Sequence, residues 1–387
     1  MALSFNIISL FAGGLISIFT PRFSAAPWIL ALFPPILTIR GDISGIFSGN
    51  LTTMLHLGLV RPQIRGNTEV YRMLIATVFV ITFIDALAMG AISFTLNLLL
   101  GRAALDHLYI FASVPTVSCV MAVAVTVPLT SLIAIATFRR GLDPDILVYP
   151  ILSSINDIVV AASFVATASL VLTVGAAPYL LSGVFAAVAL LALSLAWRSR
   201  RSEFFSKTIR EGTSVVILSS LFGSVNGILL TGLRRSLTRH PGLVILYPSL
   251  MSGLGNVGSI VGSITTTSLA LGYVRSFREE VVAGLRRIFQ VESVAAVMHV
   301  VFGISAYLLA RTASPQASLP FLVGVALLSN LSSFIVISFL ALGVSFLAFR
   351  HGLNPDNVVI PAITSTSDMV ATLSMLPAMA ILRSFLV

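Results

Sequence analysis

Apolar runs long enough to cross a bilayer, about 20 residues each, recur along the whole chain, and nearly all charged side chains fall in the short segments between them. The pattern predicts membrane helices over 4–20, 25–60, 72–101, 108–137, 145–173, 180–197, 213–233, 243–273, 288–310, 318–348 and 356–382. The opening stretch lacks the basic start of a signal peptide and is read as the first membrane helix. The second and eighth runs are too long for one straight crossing. Each holds helix breakers: Pro34, Pro35 and Gly41 in one, Pro248, Gly253 and Gly255 in the other. A broken, partly unwound helix is therefore expected in both, tolerated at membrane depth only where the freed backbone faces protein or a watery cavity.

The two long runs are copies of each other. FPPILTIRGDISGIFSGNLTTMLHLGLV (33–60) aligns with YPSLMSGLGNVGSIVGSITTTSLALGYV (247–274) at a shift of 214, placing Pro34 on Pro248, Gly41 on Gly255 and Asp42 on Asn256. FRRGLDPDILVYPILSSINDIVV (138–160) aligns with FRHGLNPDNVVIPAITSTSDMVA (349–371) at a shift of 211, placing Pro144, Asp145, Pro150 and Asp157 on Pro355, Asp356, Pro361 and Asp368. Matched Pro, Gly and Asp in two blocks in the same order mark a duplication. The expected organisation is a first five-helix repeat (1–175), a linker helix with a basic loop (176–210) and a second five-helix repeat (211–387). Five is odd, so directly joined halves would be inverted; the extra span at 180–197 makes them parallel about an axis along the membrane normal.

Composition agrees: 57% of the 387 residues are hydrophobic and 10% charged, against about 25% charged in a soluble domain. The formal charge of +9 would suggest nucleic acid or acidic lipid in a soluble protein. Here it follows the loops, and no nucleic-acid partner is expected beside the lipid bilayer. With the N-terminus inside and the C-terminus outside, the inner loops hold fifteen basic residues and the outer segments seven, as the positive-inside rule requires. A plasma-membrane location is expected. The lone Cys119 excludes a disulfide framework and a Cys-type metal site, and the five histidines lack metal-ligand spacing.

Ionisable residues inside a membrane usually face a polar interior. Asp157 and Asp368 are matched by the duplication, and each lies 14 residues past the start of its helix, about 21 Å along it. Around a twofold axis the two carboxylates converge, with one helix from each half forming a wall of a central pore contained in one chain. Two carboxylates on a shared path suit a hard divalent cation, above all Mg²⁺ as the transported ion, which keeps most of its waters and is touched through one or two carboxylates. Ser153, Ser154, Asn156, Thr364 and Ser365 add oxygen ligands beside the path. Pro150 and Pro361 each free a backbone carbonyl one turn earlier. Asp42 and Asn256 sit at the expected breaks and complete the metal-site candidates, while the unmatched Asp85 is read as a bond between helices. Asp143-Pro144 and Asn354-Pro355 match an N-cap followed by Pro. Asp143, Asp145, Asp356, Glu69 and Glu280 are thus secondary candidates at the cytoplasmic ends.

Pro-x₆-Gly-[Asp/Asn] on the second helix with Asp-Pro-x₅-Pro-x₆-Asp on the fifth resembles the transmembrane domain of MgtE-type magnesium transporters. The duplication with its repeated GLxPD is more similar to the solute carrier family 41 branch. The resemblance covers both halves. It implies a five-helix unit used twice around a pore lined by the second and fifth helices, equivalent to a homodimer of single repeats, with Asp157 and Asp368 at a site for hydrated Mg²⁺. Three departures from the family are noted. The N-terminal regulatory domains are expected to be absent, Asp42 replaces Asn, and Asn354 stands where the first half has Asp143. A Na⁺- or H⁺-coupled exchanger is an alternative, because Asp42 adds a carboxylate to one half only. An intramembrane aspartyl protease also needs two membrane aspartates, but no Gly-x-Gly-Asp accompanies either one.

Overall fold

The computed structural model describes residues 6–141, 144–173, 177–270, 277–353 and 355–386, without the side chains of 144–151, 177–178, 270, 277–284, 287, 313, 355–356 and 383–386. Among these residues the chain is all helix: α1 (Ser9–Ser17), α2 (Trp28–His56), α3 (Glu69–Leu99), α4 (Leu108–Arg139), α5 (Pro144–Leu172), α6 (Ala177–Ser199), α7 (Glu203–Gly232), α8 (Arg234–Arg239), α9 (Gly242–Ala270), α10 (Phe277–Ala313), α11 (Leu319–Arg350) and α12 (Pro355–Leu386). Ten of them are long and apolar enough to cross a membrane.

The span expected at 4–20 differs. Its helix α1 has nine residues, about 13.5 Å at 1.5 Å per residue, and gives way to the single 3₁₀ turn Thr20–Arg22 with Pro21 inside it. That is half of a crossing. The parallel relation of the halves does not depend on it, because six candidate spans, α2 to α7, separate the start of α2 from the start of α9.

The expected breaks in the second and eighth helices are also not there. α2 and α9 are continuous, with Pro34, Pro35 and Pro248 inside them and Gly41-Asp42 and Gly255-Asn256 helical. The prolines fall within the first eight residues of each helix, so few turns precede the lost hydrogen bonds. Glycines along these helices serve packing: a Cβ on Gly253 would lie 3.0 Å from Phe302 and one on Gly41 3.3 Å from Thr364. A Cβ on Gly45 would lie 2.8 Å from Ile360, and one on Gly258 or Gly262 would lie 2.6 or 2.4 Å from Ile363. Small residues at such crossings let helix axes approach closely, and here they seat α12 against both α2 and α9.

The first helix of each half, short α1 and full-length α7, packs against the other half. α1 packs on α9 and α7 on α2. A Cβ on Gly13 would meet the carbonyl of Ile245 at 2.4 Å, and one on Gly227 the carbonyl of Ala31 at 2.1 Å. Both glycines and both carbonyls are related by the shift of 214, so the contact is one contact made twice. Gly90 against the Phe111 carbonyl and Gly303 against Val323 repeat the relation for α3–α4 and α10–α11. The linker helix α6 lies at the periphery against α3, α4 and α5.

Phe33 and Tyr247, equivalent under the same shift, touch each other with ring centroids 6.4 Å apart. Equivalent residues meet only beside the axis that relates them, so the pseudo-twofold runs between α2 and α9, the two most deeply buried long helices.

Candidate cation site

From these rings the axis passes, just over one turn further along α2 and α9, into a polar layer. Thr38 Oγ1 on α2 donates to Asp368 Oδ2 on α12 at 3.0 Å, and Ser252 Oγ on α9 donates to Asp157 Oδ2 on α5 at 2.5 Å. Thr38 and Ser252 are equivalent, as are the two aspartates. The second helix of each half therefore holds the carboxylate of the other half. All four side chains are buried. The crossing segments reach an equivalent serine in each half through different partners: Ser154 donates to Asn6 Oδ1 at 2.9 Å, just before α1, and Ser365, its equivalent, accepts from Ser219 of α7 at 2.9 Å.

The two halves differ in charge. Arg40 of α2 is buried at the layer, its Nε 2.9 Å from Asp157 Oδ1. Its other nitrogens donate to Ser252 Oγ at 3.3 Å and to the Ser153 carbonyl at 3.4 Å. Its charge also acts on Asp368 and Asp42. The equivalent residue in α9 is Leu254. Two positions on, Asp42 faces Ser219, Asp85, Asp368 and Arg40, and neither of its buried oxygens has a well-formed hydrogen bond. Its counterpart Asn256 donates to Asn6 Oδ1 at 2.9 Å and to Ser153 Oγ at 3.4 Å. Asp85 of α3 accepts from Ser220 of α7 at 2.7 Å, the inter-helix bond expected of it, and its Oδ2 has no hydrogen bond.

Other candidates distribute unevenly. Asn156 donates to Ser44 on α2 at 2.8 Å. Thr364 and Ser365 bond the carbonyl of Pro361, inside α12, at 3.0 and 2.9 Å. Glu69 is fully outside the layer: it stands in the first turn of α3 beside Arg72 at 4.0 Å, with its side chain 93% exposed. Asp143 lies outside the described residues, as do the side chains of Asp145, Pro150, Glu280 and Asp356. Towards the start of α12, Asn357 joins Asn50 of α2 at 2.8 Å and Glu211 of α7 at 2.9 Å.

Several of these residues escaped the sequence reading. Arg40 is the basic residue left over when 22 of the 23 are assigned to loops, and that remainder was the signal that finds it. Thr38 and Ser252 are legible as matched hydroxyls in the duplicated block. Asn6 and Ser219 carry no comparable signal, because their helices act across the halves. Among the described residues no three His, Cys, Asp or Glu side chains gather as a ready-made metal cage.

The family described as divalent cation transporter, MgtE, matches residues 33–167 and 247–377, one block in each half. Solute carrier family 41 member 3 of Rattus norvegicus is 21% identical over 378 residues, 91% of this chain and 79% of the rat protein. The protein of the same name from Mus musculus is 21% identical over 378 residues, 91% of this chain and 75% of its own length. No solved structure matches the chain. With both repeats matched in order, the chain belongs to the MgtE family of divalent cation transporters, and it is a membrane transporter and not an enzyme.

Proposed function

We propose that the chain carries Mg²⁺ across the plasma membrane along the axis between its two halves, with Asp157 and Asp368 as the principal cation site and Asp42 and Asn256 beside them. The observation that carries this reading is the charge of the buried layer. Four carboxylates, Asp42, Asp85, Asp157 and Asp368, stand against one guanidinium, Arg40. Burying this many carboxyl groups is costly unless each is paired or protonated, and a divalent cation on the axis supplies the partner that keeps Asp157 and Asp368 ionised. The hydroxyls and amides around the carboxylates supply oxygen for a hydrated ion. One chain holds both halves of this pathway, and the basic loops face the cytoplasm, with the C-terminus outside and the start of α1 directed towards the cytoplasm. The division into a first repeat (1–175), a linker (176–210) and a second repeat (211–387) follows the duplicated blocks.

Entry into a negative interior releases about 4.6 kcal/mol per divalent ion per 100 mV, twice the single-charge figure, so uptake along the potential needs no coupling. The test is Mg²⁺ uptake into proteoliposomes by Asp157→Asn and Asp368→Asn, singly and together. Each single change lowers uptake and the pair abolishes it; wild-type flux in the double variant rejects the site. A coupled exchanger is the second reading, favoured by the buried, poorly partnered carboxylate of Asp42 next to Asp85. Imposing Na⁺ and proton gradients one at a time separates the two, because uptake that persists without either gradient is uncoupled.

A further inference from the structure

We infer that Arg40 is a tethered cation that occupies one half of the transport site and keeps divalent-ion binding weak enough for release. The inference rests on the site proposed above. The guanidinium spans Asp157, Ser252 and the Ser153 carbonyl, at 2.9, 3.3 and 3.4 Å. These are a carboxylate, a hydroxyl and a carbonyl, the oxygen types that a hard cation takes. Arg40 therefore holds the groups an incoming ion must use. Leu254 leaves the equivalent half without a cation of its own; there the Thr38 hydroxyl bonds Asp368, on which the Arg40 charge also acts. A transport site must bind an ion strongly enough to admit it and weakly enough to let it go. A fixed positive charge beside one of two carboxylates meets that need, because a divalent ion is repelled by it and must displace it from Asp157.

The test is Mg²⁺ binding by the full chain in detergent, measured by isothermal titration calorimetry, together with Mg²⁺ uptake in proteoliposomes. Arg40→Gln removes the charge and keeps a polar side chain; Arg40→Lys keeps the charge. Arg40→Gln is expected to bind Mg²⁺ at least tenfold more tightly than wild type and to transport it with a lower maximal rate, while Arg40→Lys stays within threefold of wild type in affinity. A purely structural role for Arg40 lowers transport without tightening binding. Wild-type or weaker affinity in folded Arg40→Gln overturns the inference. If Arg40→Gln aggregates without Mg²⁺, preparation in millimolar Mg²⁺ decides: a monodisperse protein shows the ion taking the guanidinium's place, and aggregation in both conditions overturns the inference. Asp157→Asn separates this inference from the site itself. Unchanged Mg²⁺ binding in Asp157→Asn removes the site, whereas lost binding there with unchanged affinity in Arg40→Gln removes only the role of Arg40.

Discussion

Gly227→Ala tests the crossing of the first helices between halves. A Cβ at Gly227 lands 2.1 Å from the carbonyl oxygen of Ala31, 2.9 Å from its carbon and 3.3 Å from its Cα. Ordinary carbon–oxygen contact is a little over 3 Å, so α7 and α2 must part by about 1 Å. All three atoms are backbone, and no rotamer change relieves the clash. Overpacking of this kind costs about 1–3 kcal/mol, set against about 1 kcal/mol gained by replacing Gly with Ala in a helix. A net loss of up to about 2 kcal/mol is expected in thermal unfolding of the purified protein. Gly343→Ala is the control, because nothing lies within 4 Å of its added Cβ; it keeps the propensity gain and is neutral or stabilising. Uptake is expected to fall as well, since α7 carries Ser219 and Ser220 to Ser365 and Asp85. Gly227→Ala as stable as Gly343→Ala refutes the crossing.

Thr38→Val and Ser252→Ala each remove a hydroxyl that donates to a buried carboxylate, a bond to a charged group worth about 1.5–3 kcal/mol. In thermal unfolding without Mg²⁺ the Ser252 change is the more costly, because its bond is shorter and is shared with Arg40; the reverse order rejects the matched bonds. Topology is read in a Cys119→Ser background with single cysteines at Arg201 and Arg102. A membrane-impermeant thiol reagent labels the first from the cytoplasmic side and the second from outside, and opposite labelling inverts the orientation. Arg40→Leu combined with Asp42→Asn makes the first half like the second at both positions. In a double-mutant cycle the pair is expected to recover about 1–3 kcal/mol of the loss of the two single changes, and simple additivity rejects any coupling of the two charges.

What the sequence revealed of the fold came from residues that the duplication repeats. Pro34 and Pro248, Asp157 and Asp368, and the shifts of 214 and 211 located both halves and the matched pair of buried carboxylates. The continuity of α2 and α9 was hidden because Pro and Gly are ambiguous: the same residues that unwind a helix also thin it for a neighbour, and only Ile360 and Ile363 decide between these. The half-length α1 was hidden because an apolar run reports length of hydrophobic sequence and not where the helix stops. The exchange of α1 and α7 is a tertiary choice, invisible to periodicity. Arg40 was hidden for a different reason: matching two halves highlights what they share, and Leu254 gives it no partner.

That asymmetry is compensated locally. Relative to Leu254 and Asn256, the first half gains one positive charge at Arg40 and one negative charge at Asp42, so the net charge of the layer equals that of a symmetric pair. Its distribution does not. Asp157 is in direct contact with the guanidinium at 2.9 Å, while Asp368 bonds a neutral hydroxyl and is acted on by both the Arg40 charge and the carboxylate of Asp42. Two equal carboxylates on a twofold axis attract an ion equally from either side. With Arg40 beside one and Asp42 near the other, the attraction is greater on the Asp368 side, where α2, α7 and α12 meet. The duplicated fold thus keeps a matched hydroxyl–carboxylate scaffold, and the two positions at which its copies differ, Arg40/Leu254 and Asp42/Asn256, give the proposed site unequal sides.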